Sequence, residues 1–278
     1  MNIILANPRG FCAGVDRAIE ITNKALDMFG APIYVKHEIV HNKYVVDELK
    51  EKGVIFIEDV KKVPSHSILI YSAHGVSEEV IKLSEQNNLK VFNATCPLVT
   101  KVHMEVYKLA AKNINTILIG HKGHPEVEGT LSRYNSNSGS KITLIENTND
   151  LDRLNFDKNE EIAYVTQTTL SIDDTKNIIE TIKAKYKNVI EPVKGDICYA
   201  TQNRQNAVKE LTKTCDIIFV VGSENSSNSN RLKEISTRAG VPSYLIDGAD
   251  DLDIGWVSNK KNIGLTAGAS APEILIQT

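Results

Sequence analysis

Three cysteines, Cys12, Cys96 and Cys198, each stand between an apolar, strand-like run and an amphipathic, helix-like segment. Around Cys96 the sequence reads "VFNATCPLVTKVH", and Pro97 is typical of the first residue of a helix. The N–H groups and the positive dipole end at a helix N-terminus stabilise a thiolate. A cysteine at such a junction is therefore a candidate nucleophile or metal ligand.

The wide spacing of these cysteines bears on which metal they could hold. Structural zinc sites usually contain close pairs such as C-x₂-C, which this sequence lacks. Iron–sulfur clusters accept distant cysteines, and three ligands would leave one iron of a [4Fe–4S] cluster open to a substrate. We predict that Cys12, Cys96 and Cys198 bind the iron of such a cluster. Cys215 begins an apolar run, and we predict that it is a buried structural residue.

A pattern of strand-like and helix-like runs is repeated three times along the chain, once for each of these cysteines. Polar side chains recur where the second and fourth strand-like runs of each repeat end. Hydroxyl, amide and imidazole groups near helix N-termini suit a phosphate or diphosphate better than a metal. We predict this role for His41, His74, His124, Thr168, Thr169, Ser226, Ser227, Asn228 and Ser270. The remaining histidines fit the pattern less well, and we predict that they are structural or solvated: His37, His66, His103 and His121.

One carboxyl group is a candidate acid. Glu126 follows His124 by two residues in "HKGHPEVEG". Burial in an anion-binding cavity would raise the pKa of Glu126, so that it could donate a proton near neutrality. The alternative is a glutamate that favours the first turn of a helix because of the helix dipole. Glu128 is expected to point to solvent.

These residues recur in a pattern that the chain repeats three times. His41, His124 and Ser226 stand 28 or 29 residues after the respective cysteines. Strands alternating with helices predict parallel sheets. We predict an α/β protein of three similar small domains, each with a mostly parallel sheet, around a pseudo-threefold axis with a central cavity. The predicted domains are 14–96, 97–194 and 195–278, the last joined by the N-terminal strand 1–13.

Length and composition narrow the class of protein. The chain has 278 residues and a formal net charge of -3, which argues weakly against nucleic-acid binding. The start "MNIILANPRG" has no features of a secretory signal, and no apolar run is long enough to span a bilayer. We expect reduced thiols, a cytoplasmic protein and no membrane partner.

Nine segments together resemble a known enzyme family, the 4-hydroxy-3-methylbut-2-enyl diphosphate reductases of the methylerythritol phosphate route to isoprenoids. The similarity extends from the N-terminus to the last residues. The segments are "NPRGFCAGVDRAIE", "HEIVHN", "SAHGVS", "ATCPLVTKVH", "IGHKGHPEVEGT", "TQTTLS", "ICYATQNRQ", "VVGSENSSNSNRL" and "TAGASAPE".

The resemblance implies a fold, a cofactor and a reaction. It implies three α/β domains and an oxygen-sensitive [4Fe–4S] cluster on Cys12, Cys96 and Cys198. Two electrons and protons would remove the allylic hydroxyl of the substrate as water, which gives isopentenyl and dimethylallyl diphosphates. The electron donor would be a ferredoxin or a flavodoxin.

The resemblance also assigns roles to side chains. Glu126 matches the acid that delivers the proton, and Thr168 lies near the substrate hydroxyl; with His124 they form the catalytic candidates. The residues that match the diphosphate site are His41, His74, His124, Ser226, Ser227, Asn228 and Ser270.

Two other functions remain alternatives. A redox-neutral cluster hydratase of a small carboxylic acid would share the open iron, but would favour arginines at the anion site. A non-enzymatic iron–sulfur sensor would be expected to carry a DNA-binding or partner module, and the sequence offers neither. The ending "ASAPEILIQT" also leads us to expect that a closing helix continues past Thr278.

Overall fold

Short parallel strands form three four-stranded sheets in this computed structural model, which describes residues 1–136 and 139–278. The strand orders are β1-β12-β10-β11, β3-β2-β4-β5 and β7-β6-β8-β9. The strand bounds are β1 Asn2–Leu5, β2 Ile33–Lys36, β3 Val54–Ile57, β4 Ile68–Tyr71, β5 Lys90–Asn93, β6 Asn115–Ile119, β7 Ile142–Ile145, β8 Glu161–Thr166, β9 Asn188–Ile190, β10 Ile217–Val221, β11 Ser243–Ile246 and β12 Asn262–Ala267. The predicted α/β class and parallel sheets are confirmed.

Helices connect the strands. Their bounds are α1 Ala13–Phe29, α2 Lys43–Glu51, α3 Glu78–Gln86, α4 Pro97–Ala111, α5 Pro125–Leu131, α6 Ile172–Lys185, α7 Tyr199–Leu211, α8 Ser227–Arg238, α9 Ile254–Val257 and α10 Ile274–Gln277. Residues 1–136 and 139–278 also contain short 3₁₀ segments at Val60–Lys62, Thr148–Arg153 and Ala249–Asp251. None of the helices in the described ranges is long and apolar enough to cross a membrane.

The chain divides into two compact units. The first consists of residues 1–33, 38–56 and 199–278 and contains the sheet of β1, β12, β10 and β11. The second consists of residues 34–37 and 57–198 and contains the sheet of β7, β6, β8 and β9, together with β4 and β5. The three domain boundaries expected from the sequence stay a proposal.

The strands owe their burial to helices on both faces. In the first unit, β10 has five apolar residues that are all buried, as is typical of a parallel strand covered on both sides. One face of β10 packs with Val208 of α7 and Leu232 of α8, and the other face belongs to a core cluster that includes Trp256 of α9 and Leu275 of α10. In the second unit the sheet of β6 and β8 is likewise covered on both faces, by α4 and by α6.

The three strands that lead to Cys12, Cys96 and Cys198 occupy equivalent places in the sheets. β1, β5 and β9 are edge strands, and each pairs in parallel with the strand that the repeat identifies as the fourth, namely β12, β4 and β8. The carboxyl ends of parallel neighbours lie at the same edge of a sheet. Each cysteine therefore follows a strand whose neighbour is itself followed by predicted site residues.

The strands end earlier than the sequence predicted. The run "PIYVKHEIVH" predicted a strand that reaches His41, but β2 ends at Lys36 because the next residue, His37, has a left-handed backbone (φ 62°). The strand β4 ends at Tyr71, three residues before His74, and the chain turns at Gly75, which has a left-handed backbone (φ 80°). The predicted site residues thus lie in loops and at helix starts that follow the strands.

Candidate active site

The three cysteines have the same backbone arrangement. Each directly precedes a helix, α1, α4 or α7, and each side chain is half-buried. The Cys12 N–H donates to the carbonyl of Ala269 (3.2 Å). The corresponding bonds run from Cys96 to Ala73 (3.0 Å) and from Cys198 to Thr168 (3.0 Å). Each acceptor lies in the loop after the neighbouring parallel strand, so the three cysteines are tied to their sheets in one way.

This donor set fits an iron–sulfur ligand role. The three thiols are partly accessible at helix N-termini, where the N–H groups favour a thiolate. Cys215, in contrast, is buried in the apolar core beside Val208 and Leu211, and burial raises the pKa of its thiol. The predicted burial of Cys215 is confirmed.

In the second unit, Glu126 and Thr168 form a buried pair. The Thr168 N–H donates to Glu126 Oε1 (2.6 Å), and its hydroxyl donates to Oε2 (3.0 Å). Glu126 is only 3% exposed, and burial raises its pKa to about 7 against these two stabilising hydrogen bonds. The predicted elevation of the Glu126 pKa is confirmed, and Glu128 points to solvent as expected.

Two predicted histidines lie side by side in the same unit. The ring centroids of His74 and His124 are 5.8 Å apart, edge to face. His124 is the N-cap of α5, and its Nδ1 accepts the N–H of Glu126 (3.2 Å). Because Nδ1 is an acceptor, the ring carries its proton on Nε2, which can donate to an anion.

The sequence pattern missed His37. Its ring lies 5.8 Å from that of His74, and its Nδ1 is 2.7 Å from Glu58. A cavity of about 390 Å³ opens beside it. Its lining residues are Lys36, His37, Glu58, Gly75, Val76, Ser77, Val80, Gly123, Pro125, Glu128 and Gly129. The left-handed backbone at His37 puts this ring beside the loop after β4. The spacing of residues in the sequence does not reveal such a turn.

His103 and Arg133 join the loop after β4 to α5. His103 is buried, and a Cβ added at Gly75 would meet its ring at 2.8 Å, while one at Gly129 would meet it at 3.4 Å. Burial lowers the pKa of His103 to about 4, so the ring is neutral. Arg133 donates to the carbonyl of Val76 (2.6 Å). His103 is buried and His66 is exposed, which agrees with the expectation that these histidines are structural or solvated.

In the first unit, a second group of predicted residues gathers around the loop after β12. The Ser270 hydroxyl donates to the carbonyl of His41 (2.7 Å), and the Ala269 N–H donates to Asn228 Oδ1 (2.8 Å). Asn228 is 4% exposed, and its Nδ2 has no hydrogen-bond partner among residues 1–136 and 139–278. A buried amide donor without a partner is costly, and an anion would satisfy it.

The start of α8 provides more donors. Ser226 is the N-cap of α8, and its hydroxyl oxygen accepts the N–H of Ser229 (3.3 Å). Ser227 is the first helical residue. The structure therefore gathers His41, Ser226, Ser227, Asn228 and Ser270 in one unit, and His74, His124, Glu126 and Thr168 in the other.

Comparisons with a protein-family model and with known proteins all match the chain to one family. A family model described as "LytB protein" matches residues 3–278. A 4-hydroxy-3-methylbut-2-enyl diphosphate reductase of Pseudomonas aeruginosa is 59% identical over 277 residues, which is 100% of this chain and 88% of that protein. The protein with the same name from Saccharophagus degradans is 58% identical, with 100% and 89% of the two chains covered.

A solved structure is also similar. It is the E-1-hydroxy-2-methyl-but-2-enyl-4-diphosphate reductase from Plasmodium falciparum, with a TM-score of 0.95 and 45% sequence identity. The match covers 99% of this chain and 86% of that one.

Proposed function

The chain belongs to the LytB protein family, and from this premise we propose that it reduces 4-hydroxy-3-methylbut-2-enyl diphosphate. The products are isopentenyl and dimethylallyl diphosphates, formed when the allylic hydroxyl leaves as water after the uptake of two electrons and two protons. We propose a ferredoxin or a flavodoxin as the electron donor and the cytoplasm as the location.

A [4Fe–4S] cluster would be held by Cys12, Cys96 and Cys198. Their common backbone arrangement and partial accessibility support this assignment. When bound, such a cluster supplies electrons and a Lewis-acidic iron that lacks a protein ligand.

The diphosphate would be bound by hydroxyl, amide and imidazole donors. The unpartnered Nδ2 of Asn228, the N-terminus of α8 and the Nε2 proton of His124 support this role. The proposed set is His41, His74, His124, Ser226, Ser227, Asn228 and Ser270. Fixing the diphosphate places the other end of the substrate, with its hydroxyl, in one position.

Glu126 would deliver the proton. At a pKa of about 7, roughly half of the Glu126 side chains carry a proton near neutrality. The carboxyl group can therefore donate a proton and then take up another one. Thr168 holds the carboxyl group in place through two hydrogen bonds.

The hydrogen bonds of Thr168 are the strongest support for the proposal. Thr168 binds Glu126 through its N–H and its hydroxyl, while its carbonyl accepts the N–H of Cys198. The proposed proton donor and a proposed iron ligand are therefore held by the same residue. This arrangement suits a reaction in which a proton and electrons must reach one substrate.

The experiment is an anaerobic assay with reduced methyl viologen. Wild-type protein should consume the reductant only when the allylic diphosphate is present. Glu126→Gln should bind the substrate but lose turnover by about 100-fold or more, because general acid catalysis contributes about 10²- to 10⁴-fold. The matched control is Glu180→Gln, which changes an exposed glutamate of α6 in the same unit and should retain turnover.

Three outcomes would contradict the proposal. Unchanged turnover in Glu126→Gln would remove this residue from proton delivery. Conversion of a small carboxylic acid without consumption of reductant would indicate a redox-neutral hydratase. A cluster that cycles without any substrate-dependent consumption would indicate a sensor.

A further inference from the structure

Two buried or half-buried cations, Lys101 and Arg204, contact the loops that lead to two of the cysteines. Lys101 lies in α4, five residues after Cys96, and Arg204 lies in α7, six residues after Cys198. Lys101 lies in the segment "ATCPLVTKVH" and Arg204 in "ICYATQNRQ", but the sequence pattern assigns neither residue a role. The contacts of Lys101 with Gly195 and Asp196 lie in one compact unit, and those of Arg204 with Gly10 and Phe11 lie in the other.

Lys101 holds the loop before Cys198. Its Nζ donates to the carbonyl of Gly195 (2.7 Å) and pairs with Asp196 Oδ1 (3.1 Å). The other carboxylate oxygen, Oδ2, accepts the N–H of Thr166 (3.0 Å). The Asp196 side chain is fully buried, so it ties the loop to the end of β8 and to α4 at once. Two residues later, the Cys198 N–H is bound by Thr168.

Arg204 holds the loop before Cys12. It is only 4% exposed, and its Nε and Nη2 both donate to the carbonyl of Gly10 (3.0 and 2.5 Å). Nη2 also donates to the carbonyl of Phe11 (2.9 Å), and Nη1 donates to that of Ala200 in its own helix (2.9 Å). The guanidinium is thereby fixed to α7 at one end and to the loop at the other.

The effect of Arg204 on Cys12 is clearest at the peptide bond between Phe11 and Cys12. Its carbonyl accepts from Arg204, and its N–H donates to Ala269. Both polar ends of this peptide are occupied, so its plane is fixed, and with it the direction in which the Cys12 side chain leaves the backbone. The preceding Gly10 has a left-handed backbone (φ 66°), which permits the turn that Arg204 stabilises.

We propose that Lys101 and Arg204 are positioning residues for the cluster: they fix the backbone before Cys198 and Cys12 so that these cysteines retain iron. The inference rests on the proposed function, since it requires that the cysteines bind iron. Groups that orient metal ligands without touching the metal typically change metal affinity by about 10- to 100-fold. We expect the lower end of that range, because these cations act on the backbone next to each ligand.

The test measures iron release from anaerobically purified holoprotein to an excess of a ferrous chelator. Lys101→Met and Arg204→Met should release iron about tenfold faster than wild type. Lys101→Arg should restore the wild-type rate to within about twofold, because a guanidinium can reach both acceptors. Lys108→Met is the matched control, since it removes an exposed cation from the same helix and should leave the rate unchanged.

A second variant keeps the test valid if Arg204→Met does not fold. Arg204→Lys retains the charge, but one ammonium cannot repeat the fork that holds Gly10 and Phe11 together. We expect a wild-type near-ultraviolet circular dichroism spectrum with faster iron release. Release from the variants at the rate of Lys108→Met would overturn the inference while leaving the proposed function intact. A wild-type protein without iron would overturn both.

Discussion

At the scale of one residue, two properties of Glu126 shift its pKa in opposite directions. The side chain is buried, which favours its neutral form, and it accepts two hydrogen bonds that favour its charged form. Burial dominates, and the pKa rises to about 7. The carboxyl group therefore binds a proton more tightly in the folded protein than in the unfolded chain, where its pKa is 4.5. Such a group makes stability depend on pH.

The sign of that dependence gives a prediction. Between pH 4.5 and 7 the folded state binds more protons at Glu126, so the residue makes the fold less stable as pH rises through this window. Glu126→Gln removes the ionisation and retains an amide that can bond to Thr168. Relative to wild type, the variant should therefore gain about 3 kcal/mol in unfolding free energy from pH 4.5 to pH 8, at 1.36 kcal/mol per pKa unit.

Urea unfolding of both proteins at the two pH values measures this difference. His103, whose pKa is also shifted by burial, titrates in both proteins, so its contribution cancels. A stability difference between the two proteins that does not change with pH would contradict the raised pKa.

Sequence reasoning predicted roles for Glu126 and the three cysteines because each belongs to a local pattern: a strand-to-helix junction or a first helical turn. It did not identify Lys101, Arg204 or His37. The first two act on carbonyls that lie 94 or more residues away in the chain, and backbone carbonyls have no sequence signature. His37 is moved next to His74 by a left-handed backbone that an Asn or Gly would have signalled, but a histidine does not.

At the scale of elements, close packing of β12 and α8 positions the proposed diphosphate donors of the first unit. Ser229 of α8 is fully buried, and its hydroxyl donates to Ser226 (3.0 Å). A Cβ added at Gly268, just after β12, would collide with the Ser229 hydroxyl and lie 3.2 Å from its Cβ. Only a glycine lets the loop after β12 approach the first turn of α8 this closely.

This packing predicts the effect of Gly268→Ala. The new methyl group should push the first turn of α8 away, lower the unfolding free energy by about 1–3 kcal/mol, and raise the KM for the diphosphate. Thermal unfolding and steady-state kinetics measure these two effects.

Ser229→Ala, which removes the colliding oxygen, supplies the control. The double variant should be more stable than the sum of the two single effects implies, because the two changes relieve one contact. Strict additivity of Gly268→Ala and Ser229→Ala would show that this contact does not limit the packing.

The elements themselves were largely predictable, but their ends were not. Alternating strand and helix patterns gave the parallel sheets, and serine and asparagine caps fit their helix starts, as at Asn42 and Ser226. The strand ends depend on single residues with left-handed backbones, such as His37, and on hydrogen bonds to neighbouring strands. Hydrophobic periodicity reveals neither the left-handed residues nor the hydrogen bonds between strands.

At the scale of the whole molecule, the three sheets have one order. In each, the third strand of the repeat is followed across the sheet by the second, the fourth and a strand that leads to a cysteine. The repeated offsets in the sequence predicted this equivalence, because equal spacing along a chain of parallel units gives equal places in the sheets. The electron donor and the cytoplasmic location stay predictions, since they depend on partners and surroundings rather than on the fold.

The central claim is that Cys12, Cys96 and Cys198 together hold one cluster, and the iron content of serine variants tests it most directly. Each of the three thiols lies half-buried at a helix start, whereas Cys215 is buried in a core. In protein purified without oxygen, Cys12→Ser, Cys96→Ser and Cys198→Ser should each lose most of the iron and the brown colour. Cys215→Ser, the matched control, should retain the about four irons of wild type. Loss of iron in Cys215→Ser with retention in Cys198→Ser would contradict the account.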